Sequence, residues 1–419
     1  MIRPDLLTGP DAGEFLRAAL AGAGAELLSW RTRQVEHQPG RGATAAYQVR
    51  VRWPDGRTTE ERFAACTRTP PEGTLLLDDG DTRLAVWRFP HDPYLPGLSA
   101  AYDPEAVAGA LADLGLGGGP VRLTVRAYRP RRRAVLEAVN DRGRVFVKVV
   151  RPARVAALHE RHRLLAAAGV PAPQSLGFTP DGLLVLAALP GRTLREVLRG
   201  RNAPLPDGEQ VLDLLDRLPA ELTRQPRRTS WGERARHYAT VVGSALPAET
   251  ERCTALAEAI GNEGGTGPTV PVHGDFYESQ LHVLHGRISG LLDVDTAGPG
   301  DRLDDLACLL GHLSVLAQID QARSGAINRL GARYLTSFAR RVDPADLRYR
   351  VAAVVLSLAT GPYRVQEPGW PATTRRRLDL AERWLASARA VGTGAGPGRM
   401  RDLSPAGQKP LIRVPNPGT

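Results

Sequence analysis

The sequence predicts an α+β protein, with a small, mostly antiparallel sheet and one helix, a mainly helical lobe after it, and an extra α+β unit before it. Three observations predict this. Residues 120–189 alternate apolar and polar side chains with period two around one stretch of helical spacing. From about 190 onward the apolar spacing is mainly helical. Residues 1–118 hold hairpins and helices of their own and run into Gly117, Gly118 and Gly119, a boundary signal. With 419 residues, 42% of them hydrophobic and 24% charged, the chain can fill more than one core.

The elements follow in order. DAGEFLRAALAGAGAELL has helical spacing. YQVRVRW and TTEERFAACT flank PDG and read as a hairpin, and GTLLL and RLAVWRF flank DDGD as a second. PHDPYLPGLSAAYDP is loop-like, and EAVAGALADLGL is a short helix. In the second unit VRLTVRAY and RAVLEAV are strands around PRRR, and VFVKVV is an apolar strand with one charge, Lys148. RVAALHERHRLLAAAG is a helix stopped by Gly169 and VPAP, and LLVLAAL is a buried strand. Amphipathic helices fill 190–391, interrupted by the short strands PTVPV and RISGLL. The Gly- and Pro-rich tail 392–419 is expected to be disordered.

Composition narrows the function. No run approaches eighteen apolar residues, so no membrane-spanning helix is expected. The N-terminus lacks the apolar core of a secretory signal. Cys66, Cys253 and Cys308 are far apart and odd in number, which fits reduced cytosolic thiols better than disulfides or a zinc site. The net charge of +10 suits a nucleic-acid binder, but the arginines are spread out and aromatics are only 5%, so nucleic acid is the lesser expectation. A phosphate-rich small ligand explains local arginine clusters equally well.

Three acids lie just outside short apolar strands. HGDFYESQ, residues 273–280, places Asp275 after a glycine that permits a tight turn. A carboxylate there can orient an alcohol and accept its proton; alone, the motif is equally a strand-end turn. His273 reads as a buried support for that loop. Asp293 ends the strand RISGLL, where an acid must be paired, protonated or bound to metal. Asp295 shares its face if the strand continues, as an outer metal contact or a turn residue. The Gln280 amide oxygen can ligate Mg²⁺. Lys148 is either an edge lysine reaching water or a phosphate-binding lysine needing a carboxylate. Glu160, on the next helix, could supply that carboxylate or be merely solvated. Arg131, Arg132 and Arg133 are a solvated basic turn or direct phosphate contacts.

The order Lys148, Glu160, HGD at 273–275, Gln280, LLDVD at 291–295 and DDLA at 304–307 resembles the aminoglycoside phosphotransferase and choline kinase family. GVPAP at 169–173 and LAALPGRTL at 186–194 resemble its segments around the interlobe hinge. The resemblance covers about 120–390. It implies a bilobal protein-kinase-like fold, with an N-lobe at 119–189, a helical C-lobe at 190–391 and 1–118 as a cap-like domain reminiscent of maltokinase-like proteins. It further implies a cytoplasmic kinase that uses ATP and Mg²⁺ on a hydroxyl of a sugar, aminoglycoside or similar metabolite. Asp275 would be catalytic, and Asp293, with Gln280 and Asp295, would hold the metal. Lys148, partnered by Glu160, would hold phosphates, Leu186 to Ala188 would offer backbone to adenine, and Asp305 would be a structural acid. Two features depart from the family: Gln280 stands where Asn is usual, and the phosphate loop YRPRRRAVL lacks glycine. A kinase-like binding protein without turnover is the alternative. For an acceptor pocket, Glu278, Asp301 and Asp304 would suit a polycation, and Tyr277 or Trp370 a sugar.

Overall fold

The computed structural model describes residues 4–71, 74–78, 83–200, 203–263 and 267–393. The chain opens with helix α1 (Ala12–Ala21) and strands β1 (Glu26–Gln38), β2 (Gly42–Arg52), β3 (Thr58–Cys66), β4 (Leu75–Asp78) and β5 (Arg83–Arg88). The strands form an antiparallel sheet in the order β1-β2-β3-β5-β4. On β2, Ala45, Tyr47, Val49 and Val51 are buried while the residues between them are not, the period-two pattern of a half-covered sheet. Phe15, Leu16 and Leu20 of α1 cover that face. The turn expected at DDGD lies, past Asp78, outside the described residues.

Two short helices follow, α2 (Leu98–Ala101), inside the stretch expected to be loop, and α3 (Pro104–Asp113). Asp103 caps α3 by accepting the Glu105 and Ala106 amides, and Pro104 fills the first turn, where no donor is needed. These helices pack on the second sheet, not the first. That sheet comprises β6 (Arg122–Arg129), β7 (Arg133–Asn140), β8 (Gly143–Val150), β9 (Ser175–Phe178) and β10 (Leu183–Ala187), all antiparallel, in the order β6-β7-β8-β10-β9. Alternation divides its two faces. Ala134, Leu136, Ala138, Val147 and Val149 meet Leu98, Val107 and Leu111 from α2 and α3. By the same alternation Arg133, Val135, Glu137, Phe146 and Lys148 belong to the opposite face. Helix α4 (Pro152–Ala167) lies there, with Val155 and Leu158 against Val150, Leu184 and Leu186.

The helical lobe contains α5 (Leu194–Val197), α6 (Gly208–Asp216), α7 (Ala235–Ala245), α8 (Thr250–Glu263), α9 (Arg302–Ile319), α10 (Ser324–Phe338), α11 (Pro344–Leu358), α12 (Gly361–Arg364) and α13 (Trp370–Gly392). Its centre is α9 and α11, apolar around much of their circumference and buried accordingly. Short strands β11 (Arg192–Thr193), β12 (Val270–Val272), β13 (Leu281–Leu284), β14 (Arg287–Leu291) and β15 (Gly298–Gly300) carry the loops that face the sheet. The α+β class expected from the sequence is therefore the class found. Tyr363 and Trp370, from this lobe, join the core of the first sheet. Among the described residues no helix is long and apolar enough to cross a membrane. The tail expected from 392 lies, past 393, outside the described residues.

Candidate active site

Strand β12 ends at Val272, just before His273, and Gly274 turns the chain with φ of 80°. A Cβ at Gly274 would lie 2.7 Å from the Thr296 carbonyl oxygen, so glycine is required there on two counts. The turn is fixed from below by Asp305 of α9. Its two carboxylate oxygens accept the His273 and Gly274 amides at 2.7 and 2.8 Å. Burial raises the Asp305 pKa, and these bonds with nearby His273 oppose the rise. The His273 ring is buried and bonds the Leu292 carbonyl through Nε2 at 2.8 Å, tying the turn to the segment before Asp293. Asp275 is thereby presented, half-buried, at the cleft between the lobes. His273 supports the loop, as expected, and Asp305 ties turn to helix.

Asp293 follows β14 in the left-handed region, φ 55° and ψ 49°. The Arg133 guanidinium grips it with both ends at 2.7 Å, and Lys148 Nζ lies 3.1 Å from its Oδ1. Lys148 also donates to Asp295, as does Arg133 at 3.3 Å. Burial would raise the Asp293 pKa, but Lys148 and Arg133 together hold it well below the usual carboxylate range. Two lysine and arginine charges from the sheet thus meet two aspartates from the helical lobe. Gln280 is buried, and its backbone carbonyl accepts the Leu292 amide at 2.7 Å, which places it one residue from Asp293 along the neighbouring segment.

The cleft around these groups has a volume of about 170 Å³ and is lined by Arg129, Arg132, Arg133, Arg154, Arg161 and Arg228 together with Asp275, Asp293 and Asp295. It is electropositive. Burial, then the charges of Arg133, Arg364 and Arg132, push the Arg129 pKa below its ordinary value. Behind Asp275, Cys308 and His312 stand one turn apart on α9, and one ligand atom from each of the three lies within 4.8 Å of the others. Sequence reasoning missed this pair, although an i, i+4 spacing on a helix was available to it. Burial raises the thiol pKa and drives the imidazole down to about 3, so both are neutral. Tyr277 stacks on His312 at 4.2 Å.

Residues 131–343 match the model of the phosphotransferase enzyme family, just over half of the chain. The chain belongs to that family. It is a kinase, a phosphotransferase with an alcohol group as acceptor, and the resemblance drawn from the order of its motifs is borne out. Among solved structures it is similar to macrolide 2'-phosphotransferase MphH from Brachybacterium faecium, with 21% identity over 65% of this chain and 98% of that one and a TM-score of 0.43. It is also similar to aminoglycoside phosphotransferase APH(4)-Ia, at 14%, 67%, 99% and 0.47 in the same order. A third is aminoglycoside phosphotransferase APH(3'')-Id from Streptomyces rimosus, at 20%, 60%, 97% and 0.39. No curated protein matches the chain.

Several expected roles of this kinase are corrected by the structure. Glu160 does not partner Lys148. The buried face of α4 runs through Val155, Leu158, His162 and Leu165, which leaves Glu160 toward solvent, bonded to Arg163 at 2.9 Å. Its neighbour Arg161 reaches inward and donates to the Asp295 carbonyl at 3.1 Å. The three loop arginines also part. Arg133 enters the site and Arg132 edges it, whereas Arg131, at φ 65°, turns away to Thr44 at 2.8 Å and the Tyr94 ring at 4.6 Å. Leu186 lies on β10 with β8 and β9 on either side, and half-buried Ala188 follows the strand. The acids suggested for a polycation are engaged elsewhere. Asp301 and Asp304 both hold Arg350, at 2.6 and 2.8 Å, and Glu278 is buried beside Arg195 at 3.7 Å. Trp370 packs on Tyr363 at 5.0 Å in the first sheet's core, away from the cleft.

Proposed function

We propose that this kinase transfers the γ-phosphoryl group of ATP to a hydroxyl of a sugar, aminoglycoside or similar metabolite. The observation that carries the reading is the meeting of Lys148 and Arg133, from the sheet, with Asp293 and Asp295, beside an Asp275 fixed on its glycine turn. In this reading Asp275 orients the acceptor hydroxyl and takes its proton late in the transfer. Lys148 and Arg133 exchange their carboxylate partners for phosphate oxygens when nucleotide enters, and Arg132 stands at the rim to do likewise. The carboxylates of Asp293 and Asp295 and the amide oxygen of Gln280 are an all-oxygen donor set, which fits Mg²⁺. Bound there, the ion would neutralise charge on the phosphates. Leu186 and Ala188 border the segment that would take the base. The arginines of the cleft favour a neutral or anionic acceptor over a polycation.

Residues 1–118 are read as a cap, 119–189 as the sheet lobe and 190–391 as the helical lobe. The three cysteines are free and buried, which supports a reducing, cytoplasmic setting. A binding protein without turnover is the second reading, favoured by the double clamp of Arg133 and Lys148 on Asp293. A screen of sugars and alcohols with ATP and Mg²⁺, following ADP release, tests the first. Nucleotide binding without transfer to any acceptor supports the second.

A further inference from the structure

A second basic cavity opens beside the cleft, between the first sheet and the turn joining β6 to β7. Its volume is about 460 Å³, and Arg68, Arg131, Arg132, Arg151, Arg154 and Arg234 line it. Glu36 is the single carboxylate in that lining, and Gln38 and Thr44 are neutral. Arg132 and Arg154 also line the catalytic cleft, so the two spaces adjoin. Six guanidiniums against one carboxylate is a repulsive arrangement. Burial and neighbouring Arg131 push the Arg151 pKa below its ordinary value.

The arginines are nonetheless held in place. Arg131 and Arg151 both lie over the Tyr94 ring, at 4.6 and 5.5 Å, and Arg151 Nε donates to the Arg131 carbonyl at 2.8 Å. Arg131 also donates to Thr44 at 2.8 Å, and its amide to Asp92 at 2.7 Å. Arg234 rests on Tyr238 at 4.9 Å, and Arg68 donates to Gln38. The Arg154 guanidinium has no hydrogen-bond or ion-pair partner among the described residues. Glu36 pairs with Arg132 at 3.3 Å. Aromatic stacking and neutral acceptors orient Arg68, Arg131, Arg151 and Arg234 without cancelling their charge, so those forks remain open to an anion. Guanidinium forks match the paired oxygens of phosphate, and the cavity is large enough for a small molecule, not merely one ion.

We propose that this cavity binds the phosphate groups of a small polyphosphorylated molecule, at a site adjoining but separate from the catalytic cleft. Inorganic polyphosphate and a sugar bisphosphate share this chemistry. The test is calorimetric titration of the full chain, in magnesium-free buffer at low salt, with tripolyphosphate and with fructose 1,6-bisphosphate. Two variants report on the cavity. R151Q/R234Q removes two charges that line it and do not line the cleft, and Q38E adds a carboxylate beside Arg68 without changing shape. Wild type should bind at least one probe at one site, and both variants should bind it about tenfold more weakly or worse. Melting temperatures within a few degrees of wild type, checked alongside, show that the variants are folded. Tighter binding of tripolyphosphate identifies a linear polyphosphate as the ligand type, and tighter binding of the bisphosphate a sugar phosphate. Failure of wild type to bind either probe at millimolar concentration overturns the proposal. So does a folded variant that binds as tightly as wild type.

Discussion

Asp293 receives both ends of the Arg133 guanidinium and the Lys148 ammonium, and Lys148 is only 5% exposed. Removing the carboxylate leaves two cations at the site with Asp295 as their remaining acid partner. Asp293→Ala should therefore cost about 3 kcal/mol of unfolding free energy, the scale for breaking a buried pair. Urea denaturation of the ligand-free protein measures it, and wild-type stability would mean that the clamp contributes nothing. Asp275 is different, because it lies half-buried at the edge of the cleft and its carboxylate has no hydrogen-bond or ion-pair partner among the described residues. Asp275→Asn should leave the melting temperature unchanged and reduce turnover about a hundredfold or more. Wild-type turnover in the purified variant would remove Asp275 from the catalytic role. These aspartates were legible because an acid directly after an apolar strand needs a reason to be there. Glu160 was misread because a helix places successive residues about 100° apart, and spacing alone did not say which of Glu160 and Arg161 faces inward. Arg133 could not be separated from Arg131 and Arg132 by sequence, since the left-handed backbone at Arg131 is what sends their side chains apart.

Helix α4 is anchored by a histidine. His162 is 2% exposed, its Nδ1 bonds the Pro173 carbonyl at 2.7 Å, and its Nε2 has no partner. Burial lowers its pKa to about 4. The folded value lies below the unfolded one, so its contribution is fully present above pH 6.5 and is lost as pH falls toward 4. At pH 5 the loss is about 2 kcal/mol. Asp304 acts in the opposite sense, because burial raises it to about 6 and its contribution, full below 3.8, is lost as pH rises through 6. The wild-type profile sums these two with the other shifted groups, His312, Asp293 and Asp305 among them. His162→Gln isolates one of them: its stability relative to wild type should improve steadily between pH 6.5 and 4. A difference that is flat across that window would show that His162 titrates normally. At this scale the sequence was a good guide to what each element is, because periods of 2 and 3.6 are local properties. It was silent on partners. The apolar face of α3 announces that something covers it, and nothing in the spacing of Val107 and Leu111 says that the second sheet does so.

Partnership decides how the whole molecule comes apart. The N-terminal elements, α1 to α3 with the first sheet, touch both the second sheet and the helical lobe. Through α2 and α3 they cover Ala134, Leu136, Ala138, Val147, Val149, Leu183 and Val185 on the outer face of the second sheet. Through the first sheet they enclose Tyr363 and, in part, Trp370 of the helical lobe. Asp92 accepts hydrogen bonds from the Tyr128 hydroxyl at 2.9 Å and the Arg131 amide at 2.7 Å, so the turn that feeds Arg133 into the site is braced from the same side. A chain that begins at 119 loses all of this while keeping every residue assigned to the chemistry. An uncovered sheet face of that size is an aggregation surface, since a half-buried sheet is stable only with its apolar side covered. The chain 119–393 should accordingly be insoluble, or bind a hydrophobic dye and unfold without a cooperative transition. The chain 89–393 keeps α2 and α3 over the sheet and exposes chiefly Tyr363 and Trp370. It should stay soluble and unfold cooperatively at a lower temperature than the full chain. Gel filtration, dye binding and a thermal melt of both truncated chains make the comparison. A soluble, cooperatively unfolding 119–393 would show that the sheet lobe carries its own cover, and that the N-terminal residues are an attachment to the kinase instead of part of its core.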